Sequence, residues 1–466
     1  MEIVGAVGGR PRKGGWSASG VSSDTRTIRK GDLFFALQGK NSDGHDFVPD
    51  AFEKGAAGAV VSQHVDLPGS LSEERCIPVR DVRRALGDLA RHYVAAWGGQ
   101  VVGITGSNGK TTTKEMTHHA LSGRFPSRKS PSNFNNDIGV PHSIFQIEAD
   151  DKMAILEMGT GAAGEMARLA QIARPVLGVV TNIGETHLEG LHSLKGVAKA
   201  KAELLEELPD NGMAVLNADD AMTPWLRKWC ACDVMTFGCR AEADIRAERI
   251  ESREWGMRFR LCGNVPCSLP VPGRHNVMNA LAAVAVCTVV GMRAREAAER
   301  LAGYEPPAMR LSRERLDGVT VINDAYNANL RSMQAALEVL RDMDAQGRRI
   351  MLCADMLELG MKAGPLHRKL GEAIAESRVD ALATLGDWAW RAGEVARRRN
   401  PRMAVYQCES HAAAADRLLD LLRPGDVLLA KGSRGMHLET VIEDLRARMP
   451  RAAADPEGAV PPLEGA

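Results

Sequence analysis

The sequence predicts an α/β protein of three domains, with a central P-loop parallel-sheet domain flanked by a small N-terminal α/β domain and a C-terminal Rossmann-like α/β domain. Three observations lead there. The chain has 466 residues, room for about three units of ~150 residues each. Two long stretches alternate short aliphatic runs with helical patterns, as parallel strands covered on both faces require. Between strand and helix in the first of them lies a glycine-rich loop ending in Gly109-Lys110-Thr111.

The elements follow in order. Residues 1–98 hold short apolar runs, Asp32 to Leu37 and Gly58 to Val61, broken by Gly, Asn and Asp. Their last helix spans about Val82 to Trp97, with Ala85, Leu89, Tyr93 and Trp97 on one face and a stop at Gly98-Gly99. Residues 99–308 form the central domain, with strands at Val101–Thr105, Met153–Glu157, Leu177–Asn182 and Met213–Leu216. A helix over Val277–Val290 follows a cap at Asn276. Pro306-Pro307 marks the next boundary. Residues 309–449 alternate again, with strands at Val319–Asn323, Ile350–Cys353, Ala381–Leu385, Met403–Tyr406 and Val427–Ala430. The segment 450–466, rich in Ala, Pro, Gly and Glu, reads as a disordered tail.

Composition excludes several classes. Lys plus Arg equals Asp plus Glu, 59 against 59, so no net field favours nucleic acid or an anionic membrane. The longest apolar run, Ala280 to Met292, falls short of the ~20 residues a bilayer needs. The first residues lack the apolar core of a signal peptide, so a cytoplasmic location is expected. The nine cysteines show no paired zinc spacing, and reduced thiols are expected.

Gly103 to Thr112 carries the chemistry most clearly. Glycines let backbone amides approach a polyphosphate, and the following helix N-terminus adds partial positive charge. Gly106, Ser107, Asn108, Gly109, Lys110, Thr111 and Thr112 would form the nucleotide cradle. Lys110 would reach the β and γ phosphates, and the Thr111 hydroxyl would hold magnesium. The loop is a variant, because Ile104 stands where the common pattern has its first glycine.

Glu157 ends a strand beside this loop, where a carboxylate suits magnesium. A strand-end carboxylate that merely caps a helix is the lesser alternative for Glu157, while a lone His187 or a Lys199–Lys201 pair is commonly structural. Lys199 and Lys201 diverge on a helix, so only one can face a site. No guanine-reading box and no repeats occur, which leaves an enzyme that assembles several substrates in an interdomain cleft.

Here the residues resemble a family. Ile104 to Thr113, Asn133 to Pro141, Thr181-Asn-Ile-Gly with His187-Leu-Glu, Gly273 to Ala280 and Lys431 to Met436 are similar to the Mur ligases. The resemblance runs from about residue 20 to 437. It implies a UDP-sugar domain, a central ATPase domain and a C-terminal domain that closes over ATP and receives the amine substrate. Asn323 to Asn329, Asp355 to Gly360 with His367, and Ser22 to Arg26 resemble the branch that adds D-alanyl-D-alanine to UDP-N-acetylmuramoyl-tripeptide.

The resemblance implies ATP and Mg2+ as cofactors, with Thr111, Glu157 and His187 as metal ligands. Lys110, His187 and Lys201 become the catalytic residues, Lys201 matching a lysine that several of these ligases carbamylate; Lys199 competes with it. Asn276, Asn279, Arg310, Asp324 and Tyr326 join the nucleotide site. Ser23, Thr25, Arg26, Gln38 and His45 match the UDP-sugar region, and Asn133, Asn135 and Asn136 the muramyl-peptide contacts. The expected partners are these small molecules, with no nucleic acid, for a monomer without a membrane span. Leu330 departs from the family's usual proline, Cys353-Ala354 from Leu-Gly, and Asp137 from a common Glu. The alternatives are another Mur ligase, a folylpolyglutamate synthase-like ligase, or an ATP-binding switch.

Overall fold

The computed structural model describes residues 3–9, 16–39, 42–64, 75–240, 242–253, 255–343 and 345–449. The tail expected at 450–466 lies outside them. Three sheets, of four, nine and six strands, follow one another along the chain.

The first sheet is parallel, with Gly20–Ser22, Asp32–Phe35, Gly58–Ser62 and Cys76–Val79 in that order. The helix Val82–Trp97 starts where the Asp81 side chain accepts from the Arg84 amide and stops at Gly98, whose φ of 71° is left-handed. Its first turns pack Val82, Ala85, Leu86 and Leu89 into the N-terminal core. Its last turns bury Ala90 and Val94 in the central domain, so one helix belongs to two cores.

The central sheet runs Val265–Leu269, Gly256–Leu261, Ile245–Arg253, Asp233–Gly238, Met213–Asn217, Leu177–Val180, Gln100–Thr105, Met153–Glu157, Ser127–Lys129. Gln100–Thr105 lies between Leu177–Val180 and Met153–Glu157, with Ile104 opposite Glu157 and Thr105 opposite Val180. Three parallel strands therefore end level, at the edge where ligands bind open α/β sheets. The first two strands in that order join by antiparallel pairing. They and their neighbours Asp233–Gly238 and Ile245–Arg253 were not expected. Polar or half-buried residues interrupt the apolar ones in all four, which hides them from a search for continuous aliphatic runs.

The helix Lys110–Leu121 packs on Arg274–Val289 through Met116, Ala120, Val277, Ala280 and Leu281. Asn276 is not the cap of the second helix. That helix starts three residues earlier, after Gly273 at φ 96°, and the Asn276 amide instead donates back to the Pro272 carbonyl at 2.7 Å.

The third sheet has the order Ser312–Leu316, Val319–Asn323, Val427–Lys431, Arg349–Ala354, Ala381–Leu385, Ala404–Cys408. It is parallel except at the first pair. The strand expected at Met403–Tyr406 sits one to two residues later. All nine cysteines are free thiols. Among the described residues no helix is long and apolar enough to cross a membrane.

Candidate active site

The phosphate loop closes tightly against its neighbours. Gly106 has φ 147° and Gly109 φ 82°. A Cβ at the first would collide with the Thr181 hydroxyl, and at the second with the Asn279 side chain, so both positions require glycine. The next strand's end fixes the loop. The Asn108 amide donates to Asn182 Oδ1 at 3.0 Å, and Thr181 Oγ1 donates to the Asn108 carbonyl at 2.6 Å. The Ser107 hydroxyl donates to the Gly184 carbonyl at 3.0 Å and accepts from its amide at 2.8 Å. Thr181 and Asn182 belong to the Thr181-Asn-Ile-Gly run, and the sequence alone does not show that they brace the loop.

Lys110 folds back on its own loop, Nζ donating to the Gly106 carbonyl at 2.9 Å. Burial draws its pKa below the usual lysine value, Glu157 opposes that shift and Arg310 adds to it. Thr111 donates to Glu157 Oε2 at 2.6 Å, and the Asn135 amide donates to Glu157 Oε1 at 2.9 Å. The Glu157 residue is 2% exposed. Arg310 reaches over from beyond the Pro306-Pro307 boundary and donates to Thr111 Oγ1 at 2.8 Å. Its guanidinium lies 4.0 Å from the centre of the Tyr326 ring, a cation–π contact.

These groups line one cavity of about 490 Å³ between the central and C-terminal domains. Asn276 and Asn279 are buried in its wall, Asn279 Nδ2 donating to Asn276 Oδ1 at 3.1 Å. Phe237, Val271 and Met278 add an apolar side. From the C-terminal domain come Asp324, ion-paired with Lys431 at 2.7 Å, and Tyr326. Asn329 caps the helix Leu330–Asp342 and donates to Asn108 Oδ1 at 2.7 Å. Ser107, Thr112, Asn133, Asn135 and Asn136 also reach the cavity, while Asn136 Oδ1 accepts from the Ile138 and Gly139 amides.

His187 lines the cavity with a left-handed backbone, φ 52°. Its Nδ1 lies 3.1 Å from Glu358 Oε2 of the C-terminal domain. Burial and then the Lys110 charge hold its pKa below the usual value, against Glu358. Lys201 is 1% exposed, whereas Lys199 is exposed. Burial and the Lys110 charge push the Lys201 amine well below its usual pKa, and among the described residues its Nζ has no hydrogen-bond or ion-pair partner. Of the two lysines, Lys201 is the buried one, near enough to Lys110 and His187 for their charges to interact, and it lies behind the cavity lining rather than in it.

Among the described residues no group of three or more His, Cys, Asp and Glu is arranged to hold a metal by itself. The donors present are a hydroxyl, one buried carboxylate and an imidazole. That set fits magnesium, which keeps waters and takes substrate phosphates rather than a full protein cage.

The N-terminal candidates lie apart from the cavity lining. Ser23 Oγ is 2.8 Å from His142 Nε2 of the central domain. Thr25 is half-buried, and Gln38 is exposed. Arg26 is exposed and paired with Asp24 at 2.6 Å. His45 is buried with both ring nitrogens committed, Nδ1 to Asp43 and Nε2 to the Ser62 amide at 2.9 Å, so it shapes its loop. Sequence reasoning missed Arg331 and Arg434, which also line the cavity. Arg331 has no partner among the described residues, and no motif marks it.

A phosphate loop facing a second α/β domain across a polar cleft defines a nucleotide-dependent enzyme that works between domains. The Mur ligase middle domain matches residues 104–287, the Mur ligase glutamate ligase domain 309–434, and the Mur ligase family catalytic domain 17–94. The chain belongs to the Mur ligase family. It is 36% identical over 432 residues to a UDP-N-acetylmuramoyl-tripeptide–D-alanyl-D-alanine ligase of Bacillus subtilis, covering 91% of this chain and 93% of that protein. A crystal structure of MurF from Acinetobacter baumannii superposes with TM-score 0.86 at 30% identity, covering 95% of this chain and 97% of that one. MurF of Thermotoga maritima, solved in complex with ADP, superposes with TM-score 0.81 at 26% identity, covering 92% and 98%.

Proposed function

We propose that this chain is the ATP-dependent ligase that joins D-alanyl-D-alanine to UDP-N-acetylmuramoyl-tripeptide in peptidoglycan precursor synthesis, acting as a cytoplasmic monomer. The observation that carries the reading is the convergence on one cavity of the phosphate loop, the Thr111–Glu157 pair and the Asn133–Asn136 segment. Whole-length similarity to ligases of that name supports the choice of substrates.

A free carboxylate acylates amines poorly, because its leaving group would be oxide. In the proposed sequence a tripeptide carboxylate oxygen bonds to the γ-phosphorus of ATP, the bond to the β-phosphate oxygen breaks, and ADP leaves. The dipeptide amine then attacks the acyl carbon, phosphate departs, and the amine gives up a proton. The protein's part is positioning and charge stabilisation. Lys110 and the backbone amides of Gly106 to Thr112 hold the β and γ phosphates, and Arg310 brings a second cation to Thr111. Thr111, Glu157 and His187 would hold Mg2+, which neutralises polyphosphate charge when bound. Asn276 and Asn279 would line the adenine pocket, with Asp324 and Tyr326 contributing to nucleotide binding from the C-terminal wall. Ser23, Thr25, Arg26 and Gln38 offer polar groups to the UDP-sugar, and His45 holds their neighbouring loop.

Lys201 fits carbamylation. In its uncharged form the amine attacks carbon dioxide: an N–C bond forms, one C=O bond opens to a carboxylate oxygen, and one amine proton is lost. The product places an anionic oxygen ligand on a buried side chain. Purified protein with ATP, magnesium and UDP-N-acetylmuramoyl-tripeptide tests the whole reading. ADP release that depends on D-Ala-D-Ala is expected; release with a single amino acid instead would reassign the chain within the family.

A further inference from the structure

Lys114 carries a charge that the reaction above does not use. It lies one turn beyond Lys110 on the helix Lys110–Leu121 and is 0% exposed. An ammonium survives such burial only when its donors are met. Here Nζ donates to the Ser130 carbonyl at 2.7 Å and the Ser132 carbonyl at 3.2 Å, and lies 3.1 Å from Glu115 Oε1. Glu115 also pairs with Lys129.

Both carbonyls belong to the segment that enters the cavity. Ser132 has a left-handed backbone, φ 37°, a conformation that persists in a side-chain-bearing residue only where its surroundings hold it. Asn133, Asn135 and Asn136 follow directly and line the cavity. Asn135 binds Glu157 through its amide, and its carbonyl accepts from Gly159 at 2.8 Å. Ser130 is tied to the same strand, its hydroxyl accepting from the Glu157 amide at 3.0 Å.

We infer that Lys114 is a positioning residue that fastens residues 130–136 to the helix behind the phosphate loop. It thereby keeps the asparagines that face the sugar-peptide in register with the γ-phosphate. The inference rests on the proposed reading of this segment as the peptide-contacting one. The ammonium acts through two backbone carbonyls and touches neither substrate.

Calorimetry on the full chain separates this from the ligase reading, because it measures UDP-N-acetylmuramoyl-tripeptide and Mg-ATP binding without turnover. Lys114→Met keeps the stem and removes the charge. Tripeptide affinity is expected to fall ~10-fold or more, as loss of charge-assisted hydrogen bonds implies, with Mg-ATP affinity changed less than ~2-fold. Unchanged affinities, or both falling together with the melting temperature, would overturn the inference. Should Lys114→Met fail to fold, Glu115→Gln decides. A fall of ~3-fold in tripeptide affinity alone supports the coupling; no change refutes it. If wild-type protein binds both molecules yet releases no ADP, the ligase reading fails while the positioning role stands.

Discussion

The two walls of the cleft are built differently. The central wall is pre-assembled: the phosphate loop, Glu157 and Asn135 are locked by short bonds between buried or half-buried groups on adjacent strand ends. The C-terminal wall reaches the central one through a few side chains, Arg310 to Thr111, Asn329 to Asn108, Glu358 to His187 and Lys362 to Glu185. The first wall is therefore expected to act as a fixed cradle. The second, held by few contacts, is expected to dock and release, which suits a cleft that must admit three substrates and let products go.

The contrast sets the order of expected effects. Lys110→Ala removes the cradle's cation and should lower kcat by ~10³-fold or more while leaving the melting temperature nearly unchanged; retained turnover would break the assignment. Glu157→Gln keeps the shape and loses the charge, and should cost ~10²-fold with a raised magnesium requirement in steady-state kinetics. Arg310→Ala, a docking contact that also carries charge, should cost ~10-fold or more in kcat/KM for ATP. Asn329→Ala removes one neutral bond across the cleft and should raise KM for ATP ~5-fold. Lys362→Ala should change activity less than ~2-fold, because both partners of its ion pair are 44% exposed. An effect of Lys362→Ala as large as that of Glu157→Gln would erase the distinction between the walls.

The same distinction explains what could be read from sequence. The phosphate loop was legible because its glycines and lysine sit in one local run whose chemistry depends little on the rest of the chain. Met153–Glu157, Val319–Asn323 and Ala381–Leu385 match their expected bounds, since continuous aliphatic runs mark strands buried on both faces. Ile245–Arg253 escaped because its burial alternates. Asn276 was misplaced because asparagine favours caps, while here Gly273 starts the helix.

Spacing shows that Lys199 and Lys201 diverge and the resemblance favours Lys201; the fold adds that Lys201 is the buried one of the two. The roles of Arg331, Arg434 and Lys114 depend on which distant segments meet them. His45 carries a motif histidine, yet only the fold shows that Asp43 and Ser62 occupy its ring.

The most direct measurement is the mass of the product formed from UDP-N-acetylmuramoyl-tripeptide and ATP when D-Ala-D-Ala, D-Ala, diaminopimelate and lysine compete at equal concentration. The account predicts one product, carrying the intact dipeptide, with one ADP released per product. A product carrying a single amino acid, or ADP release with no new amide, would contradict it.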